Sequence, residues 1–309
     1  MLHFFKLIRY KNLLLLALMQ IIFRLGYLEP IQIPLSLWYW QYAMLIASTI
    51  LIAAGGYIIN DIMDQETDLE NHPEKVIVGK YISESKAYTL YVTLTIIGVA
   101  LGFILANTVK HSNLSIIFVL VATLLYFYAS TLKQIAFIGN LVVASVLAFS
   151  VIIIGIFDIY PNTFDFNKDQ MQMAFAILID YALFAFSINL VREIIKDCED
   201  VKGDNLEGMK TLPVRIGIQT TSKIAFVLLL LPAIYLFYYI KSNLFDDNLY
   251  LGTIYLIVFV LAPIIFCLTK IWSAKEKNDF HFISTLLKWI IFFGILSIAV
   301  ITYNTKHHG

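Results

Sequence analysis

Cysteine is nearly absent from this chain: Cys198 and Cys267 are the only two in 309 residues. One lies in a polar stretch and the other in an apolar run. A disulfide framework is therefore not expected, and no thiolate spacing for a metal exists. Charge is scarce too: Asp, Glu, Lys and Arg make up 14% of the residues, where a soluble domain carries about a quarter. The two signs balance to a net charge of zero, which removes any bulk electrostatic case for nucleic acid as a partner. Low-complexity tracts and long linkers are missing, so residues 1–309 read as a single domain. No small-residue cleavage site follows the basic lead "MLHFFKLIRYKN", so the first apolar segment reads as a retained helix and not a removed signal.

What fills the chain is apolar sequence. Hydrophobic residues make up 60%, and mean hydropathy is +0.79. Runs long enough to cross a bilayer recur from end to end. Backbone groups in hydrocarbon must be satisfied within each segment, and these runs far exceed barrel strands, so the fold class is all-α and polytopic. Nine spans are predicted, at 13–28, 35–59, 85–106, 114–130, 135–157, 171–190, 221–240, 249–269 and 281–303. With the N-terminus cytoplasmic, sixteen Lys and Arg fall on the cytoplasmic side, four on the other, and Arg24 and Lys288 inside spans. That asymmetry follows the positive-inside rule. It places both charged loops, 60–84 and 191–220, in the cytoplasm.

Those loops hold the chain's unusual chemistry. "NDIMDQETD" supplies Asn60, Asp61, Asp64 and Asp68, and "DCEDVKGD" supplies Asp197, Asp200 and Asp204. The two aspartate triplets share the spacing i, i+3, i+7. If the second span continues as a helix through the first run, its four residues fall within an arc of about 100°. Glu66 points to the far side. In the second run Glu193 joins the aspartates on one face and Glu199 does not, while Gly203 is expected to interrupt the helix. Stacked carboxylates repel. Hard divalent cations relieve that repulsion, and Mg²⁺ takes only one or two carboxylates, leaving room for substrate phosphate oxygens. Two acidic faces at one membrane surface therefore suit a metal-bridged diphosphate. A plain solvated loop is the competing reading for either run alone.

The two motifs resemble the aspartate-rich pair of the UbiA-type intramembrane prenyltransferases, and the resemblance extends over nearly the whole chain. It implies nine transmembrane helices around a central cavity, a cytoplasmic cap, and two Mg²⁺ ions holding a prenyl diphosphate. By this resemblance Asn60, Asp61, Asp64 and Asp68 hold one ion, and Asp197, Asp200 and Asp204 hold the other. "NHPEKVIVGKYIS" resembles the family's run after the first motif, with Lys75 at its basic position and Val76 where a proline is usual. "LYFYASTLK" supplies Tyr126 and Lys133, a following "GN" supplies Asn140, and "GMKTLPVRIG" supplies Lys210 and Arg215. "RYKN", Arg9 to Asn12, resembles the lead into the first helix.

Asp64, Asp200, Lys75 and Tyr126 are thus expected in the chemical step, the tyrosine ring steadying a carbocation. Asn12, Lys75, Lys133, Asn140, Arg192, Lys196 and Lys210 are expected to bind substrate; Arg192 and Lys196 equally suit a role in neutralising the second acidic face. Asp180, near the middle of span six, is expected to pair with Arg24. Within the family, "REIIKDCEDVKGD" followed by "KTLPV" is most similar to the branch that alkylates geranylgeranylglyceryl phosphate. Geranylgeranyl diphosphate is then the favoured donor and the inner (cytoplasmic) membrane the site of action. Branches with aromatic acceptors, 4-hydroxybenzoate or a naphthoate, are the alternative. A cation-binding transporter is a further one, although it would place carboxylates near the bilayer midplane.

Overall fold

The computed structural model describes every residue except Met1, Thr67, Asp68, Glu70, Asn71, His72, Lys75, Glu207, His308 and Gly309. Among the described residues nine helices are long and apolar enough to cross a membrane. They are α1 (Tyr10–Leu28), α2 (Tyr39–Met63), α3 (Glu84–Thr108), α4 (Ser112–Ser130), α5 (Ile138–Asn162), α6 (Lys168–Leu206), α7 (Ile218–Phe245), α8 (Tyr250–Ser273) and α9 (Lys277–Lys306). The expected number of spans is therefore present, and the protein is an integral membrane protein. Large apolar side chains such as Ile96, Phe103, Leu120, Leu231 and Phe237 are exposed on the outer faces of α3, α4 and α7. In water such a surface would drive association; in lipid it is the solvated state.

Local signals set the helix ends. The Trp38 N–H donates to Gln41 Oε1 at 2.8 Å where α2 begins. At α9 the N–H groups of Lys275 and Glu276 both donate to Asp279 Oδ2, at 2.9 and 3.0 Å, satisfying donors that a helix start leaves free. Between α2 and α3, Ser48 Oγ donates to Gly98 O at 2.7 Å. A Cβ on Gly98 would come within 2.8 Å of Ile52 Cγ1, so close backbone approach depends on glycine there.

Neighbouring helices pack in sequence: α2 lies against α3 and α4, α5 against α6, α6 against α7 and α9, and α9 returns to α1. Side chains of α1, α2, α4, α5, α6 and α9 enclose a cavity of about 190 Å³; α3, α7 and α8 contribute none of its lining. A small separate core of Leu7, Ile58, Ile59, Ile62, Val78 and Ala129 docks the N-terminal segment and the 76–78 segment onto the end of α2. It anchors the carboxylate-bearing end of that helix.

Two expectations about the acidic runs are corrected. α2 does not continue through the first run as a regular helix. It ends at Met63, with Asp64 as its C-cap at φ −101° and ψ 13°, so Asn60 and Asp61 are on α2 and Asp64 turns at its end. Gly203 does not break α6, which runs 39 residues to Leu206. Its last turn is tied from outside: the Met209 N–H donates to Asp204 O at 2.9 Å and Thr211 Oγ1 to Asp204 Oδ2 at 3.0 Å. Those bonds offset the modest helix penalty of one glycine. Residues 60–63 and 191–206 thus belong to helices, not loops.

Candidate active site

Asp61 and Asp64 leave the end of α2 toward two cations. Arg9 Nη2 donates to Asp61 Oδ1 at 3.0 Å, and its guanidinium lies 5.0 Å from the Tyr57 ring centroid. Arg9 itself is left-handed, at φ 50°, a conformation that costs a non-glycine residue about 1–3 kcal/mol and separates a short helix, Leu2–Leu7, from α1. Lys133, delivered by the segment after α4, is ion-paired with Asp64 Oδ1. Asn60 Nδ2 donates to Asp64 Oδ2 at 2.6 Å, while Asn60 Oδ1 is buried with no hydrogen-bond partner. Asp68 and Lys75 lie outside the described residues.

The second run sits on the last turns of α6. Asn140 Nδ2, from the start of α5, donates to Asp197 Oδ2 at 2.9 Å. Asp204 is buried under Thr211, and Asp200 is half-buried beside them. Arg192 and Lys196 both reach Glu193, at 2.8 and 3.1 Å, so these two cations do neutralise part of the acidic face. Glu199 points away, with its Oε1 3.0 Å from His281 Nδ1 of α9. The Lys210 N–H donates to Gln134 O at 3.0 Å, which stitches the segment after α6 to the segment carrying Lys133; the lysine side chain is exposed.

Runs some 130 residues apart thereby meet. The half-buried Tyr128 lies within Coulombic reach of Asp64, Asp197, Glu193 and Arg9, and Arg9 acts on Glu193 as well as Asp61. The donor set fits a hard cation: carboxylates and an amide oxygen, with Asn60 Oδ1 buried and unsatisfied, as a metal ligand would be. Among the described residues no three His, Cys, Asp or Glu side chains converge on one point. A hard cation held there would draw on one or two carboxylates and leave positions for other oxygen ligands.

Below the carboxylates the cavity changes character. Its charged and amide lining is Asn12, Asn189, Arg192 and Lys288, and Thr49, Tyr57, Ser150 and Tyr181 add hydroxyls; the remainder is apolar, including Met19, Phe23, Ile52, Phe118 and Phe149. Lys288 Nζ donates to Asn12 Oδ1 at 2.7 Å, and Asn12 Nδ2 contacts Tyr57 Oη at 3.4 Å.

Two sequence expectations need correcting here. Tyr126 is exposed on the outer side of α4, because Tyr126 and Tyr128 point about 200° apart on a helix; it is Tyr128 that lies near the carboxylates. We expect Tyr128→Ala to lower kcat at least tenfold and Tyr126→Ala to leave it within twofold, measured as pyrophosphate release. Arg24 does not pair with Asp180. It meets Asp158 Oδ2 and Glu29 Oε1, both at 3.0 Å, at the other end of the bundle, while Asp180 contacts Tyr235 Oη at 3.5 Å. Sequence reasoning also gave no site role to Lys288, Tyr57 and Asn189. A lone lysine inside an apolar run was the available signal for Lys288.

Comparison with known proteins agrees with this geometry. The model of the UbiA prenyltransferase family matches residues 22–302. A digeranylgeranylglyceryl phosphate synthase from Saccharolobus solfataricus is 34% identical over 267 residues, covering 85% of this chain and 86% of the relative. The enzyme of the same name from Sulfurisphaera tokodaii is 33% identical, covering 81% and 83%. Among solved structures, one described as concerning digeranylgeranylglyceryl phosphate synthase in membranes superposes with a TM-score of 0.64 at 24% identity, covering 97% of each chain. A UbiA homologue from Archaeoglobus fulgidus bound to DMAPP and Mg²⁺ superposes at 0.60 with 16% identity, covering 96% of this chain and 99% of that one. With paired carboxylate runs over a lined cavity, and relatives matching most of its length, this chain belongs to the UbiA prenyltransferase family.

Proposed function

We propose that this prenyltransferase moves a geranylgeranyl group from its diphosphate to geranylgeranylglyceryl phosphate, forming an ether-linked membrane lipid. The observation that carries this reading is the joining of two distant carboxylate runs above a largely apolar cavity. The names of the similar proteins support the acceptor, and the Mg²⁺ and prenyl diphosphates held by two structural neighbours support the donor and the cation. A substrate with an isoprenoid tail and a charged head needs this pairing of surfaces, because the tail has no favourable path through water.

In this reading Asn60, Asp61 and Asp64 of α2, with Asp68, hold one Mg²⁺; Asp197, Asp200 and Asp204 hold a second. Bound there, the cations would neutralise the departing diphosphate. Lys133, Arg9 and Lys210, together with Lys75, supply further positive charge to diphosphate oxygens as point-charge and hydrogen-bond donors. Tyr128 presents its ring toward the developing allylic cation. The cavity wall keeps water from that cation while the acceptor hydroxyl attacks C1 and gives up its proton. The segments 76–83, 131–137 and 208–217 act as the cap. The protein resides in the cytoplasmic membrane with its N-terminus and both acidic runs facing the cytoplasm, a placement supported by the distribution of Lys and Arg.

An acceptor panel tests the assignment. Purified protein in nanodiscs with Mg²⁺ and geranylgeranyl diphosphate is expected to release pyrophosphate with geranylgeranylglyceryl phosphate. It should do so at least tenfold faster than with 4-hydroxybenzoate or a dihydroxynaphthoate. The reverse preference would assign it to an aromatic-acceptor branch; no release with any acceptor would remove the transferase reading.

A further inference from the structure

The cavity wall carries positive charge that the acidic runs neutralise only in part. Lys288 sits about 16 Å along α9 from its start at 1.5 Å per residue, and its ammonium is held by the neutral Asn12 Oδ1. Among the described residues no carboxylate oxygen lies within 4.0 Å of it. The charges it does feel are two more cations, Arg192 and Lys11. Arg192 turns Nη1 to Glu193, a carboxylate it shares with Lys196, and its Nε is buried with no hydrogen-bond partner. Both side chains line the same cavity. Two cations placed together in an apolar wall repel each other and lose hydration. An unpaired buried guanidinium N–H adds to that cost. An anionic ligand relieves all three penalties.

That ligand has a chemical class. Phosphate oxygens accept from the Arg192 fork and from the Lys288 ammonium together, and Asn12 and Asn189 offer neutral polar groups beside them. In the reading above, the donor's diphosphate is taken by the carboxylate-bound cations, Lys133 and Arg9, at the end of α2 and α6. Arg192 and Lys288 are free of that task. We propose that Arg192 and Lys288, with Asn12, form a subsite for the acceptor's phosphate monoester and select a phosphorylated lipid over an uncharged or aromatic acceptor. This rests on the acceptor assignment above. The donor diphosphate is the other source of the same chemistry, and kinetics can separate them.

The test uses the full chain in nanodiscs, varying each substrate in turn, with geranylgeranylglyceryl phosphate and its dephosphorylated alcohol as paired acceptors. Lys288→Met is expected to raise KM for the phosphorylated acceptor about tenfold, as loss of a hydrogen bond to a charged group does. KM for geranylgeranyl diphosphate should stay within twofold, and the preference for the phosphorylated acceptor over the alcohol should collapse. Lys288→Arg should restore most of it. Asn12→Asp places a carboxylate against Lys288; it should give the same selective loss while keeping the lysine paired, which answers the case where Lys288→Met unfolds. A rise in donor KM instead, or an unchanged acceptor preference in both variants, would overturn the subsite. Wild-type protein that ignores geranylgeranylglyceryl phosphate but uses another acceptor would remove the acceptor assignment first, and the subsite with it. That outcome is visible before any variant is measured.

Discussion

Asp64→Ala and Asp197→Ala are each expected to lower kcat about 10³-fold, in line with removal of a principal electrostatic stabiliser of a transition state. Excess EDTA on the wild type should do the same, reversibly with Mg²⁺. Asp64 meets Asn60 and Lys133, and Asp197 meets Asn140; in the proposed mechanism both aspartates hold the cations that neutralise the departing diphosphate. Asp64→Asn controls for folding, since its amide oxygen still accepts from Lys133 and its NH2 can donate to a flipped Asn60 amide, while the negative charge is gone. It should melt within a few degrees of wild type and remain inactive. Asp200→Ala should also be inactive. Glu66→Ala should keep near wild-type turnover, because Glu66 is exposed. Full activity in the Asp64 or Asp197 variants, or in EDTA, would sink the metal assignment.

The second large effect lies at the other end of the bundle and concerns stability. Asp158→Ala is expected to cost about 3–5 kcal/mol, the range for removing one partner of a buried ion pair. Asp158 is fully buried. Its Oδ1 accepts from the Leu37 N–H at 2.9 Å, its carbonyl accepts from the Ser36 N–H at 2.9 Å, and its Oδ2 meets Arg24 Nη1 at 3.0 Å. Arg24 also donates to Leu37 O at 2.6 Å and lies 4.5 Å from the Tyr42 ring centroid. Both charges sit in widened, π-type turns, Arg24–Leu28 and Gly155–Ile159, where local irregularity of the helix often marks a special demand. Removing the Asp158 carboxylate would leave the buried Arg24 with Glu29, its more exposed partner, and take the acceptor from the Leu37 N–H that leads into α2. Thermal unfolding in detergent should show the loss, and Asp180→Asn should melt as wild type does. A melting temperature unchanged by Asp158→Ala would refute this account.

Arg24 shows where reading a sequence stops. A buried arginine demands an anion, and that demand is legible in an apolar run. Which acid answers it is not: Asp180, an acid inside a span, is the partner expected on sequence, and the packing of α1 against α5 supplies Asp158 instead. Tyr126 and Tyr128 differ by two positions, and helix orientation alone decides which of them faces the site. The acidic runs were easier. Hydrophobic length predicts spans because lipid leaves the backbone no other satisfied conformation, and carboxylates at repeated spacing announce shared charge within a single helix.

By itself, then, the sequence of this protein determined nine membrane-crossing helices, two acidic runs and the family to which they point, since each of these is written in local composition and short-range spacing. Tertiary structure decided that α2 turns at Asp64, that α6 carries on through Gly203, and that Lys133, Arg9 and Asn140 come to the carboxylates. It also decided that Arg192 and Lys288 share one cavity wall. Those outcomes depend on contacts between residues that are tens to hundreds of positions apart, and their energies come from desolvation and charge pairing that no local window contains.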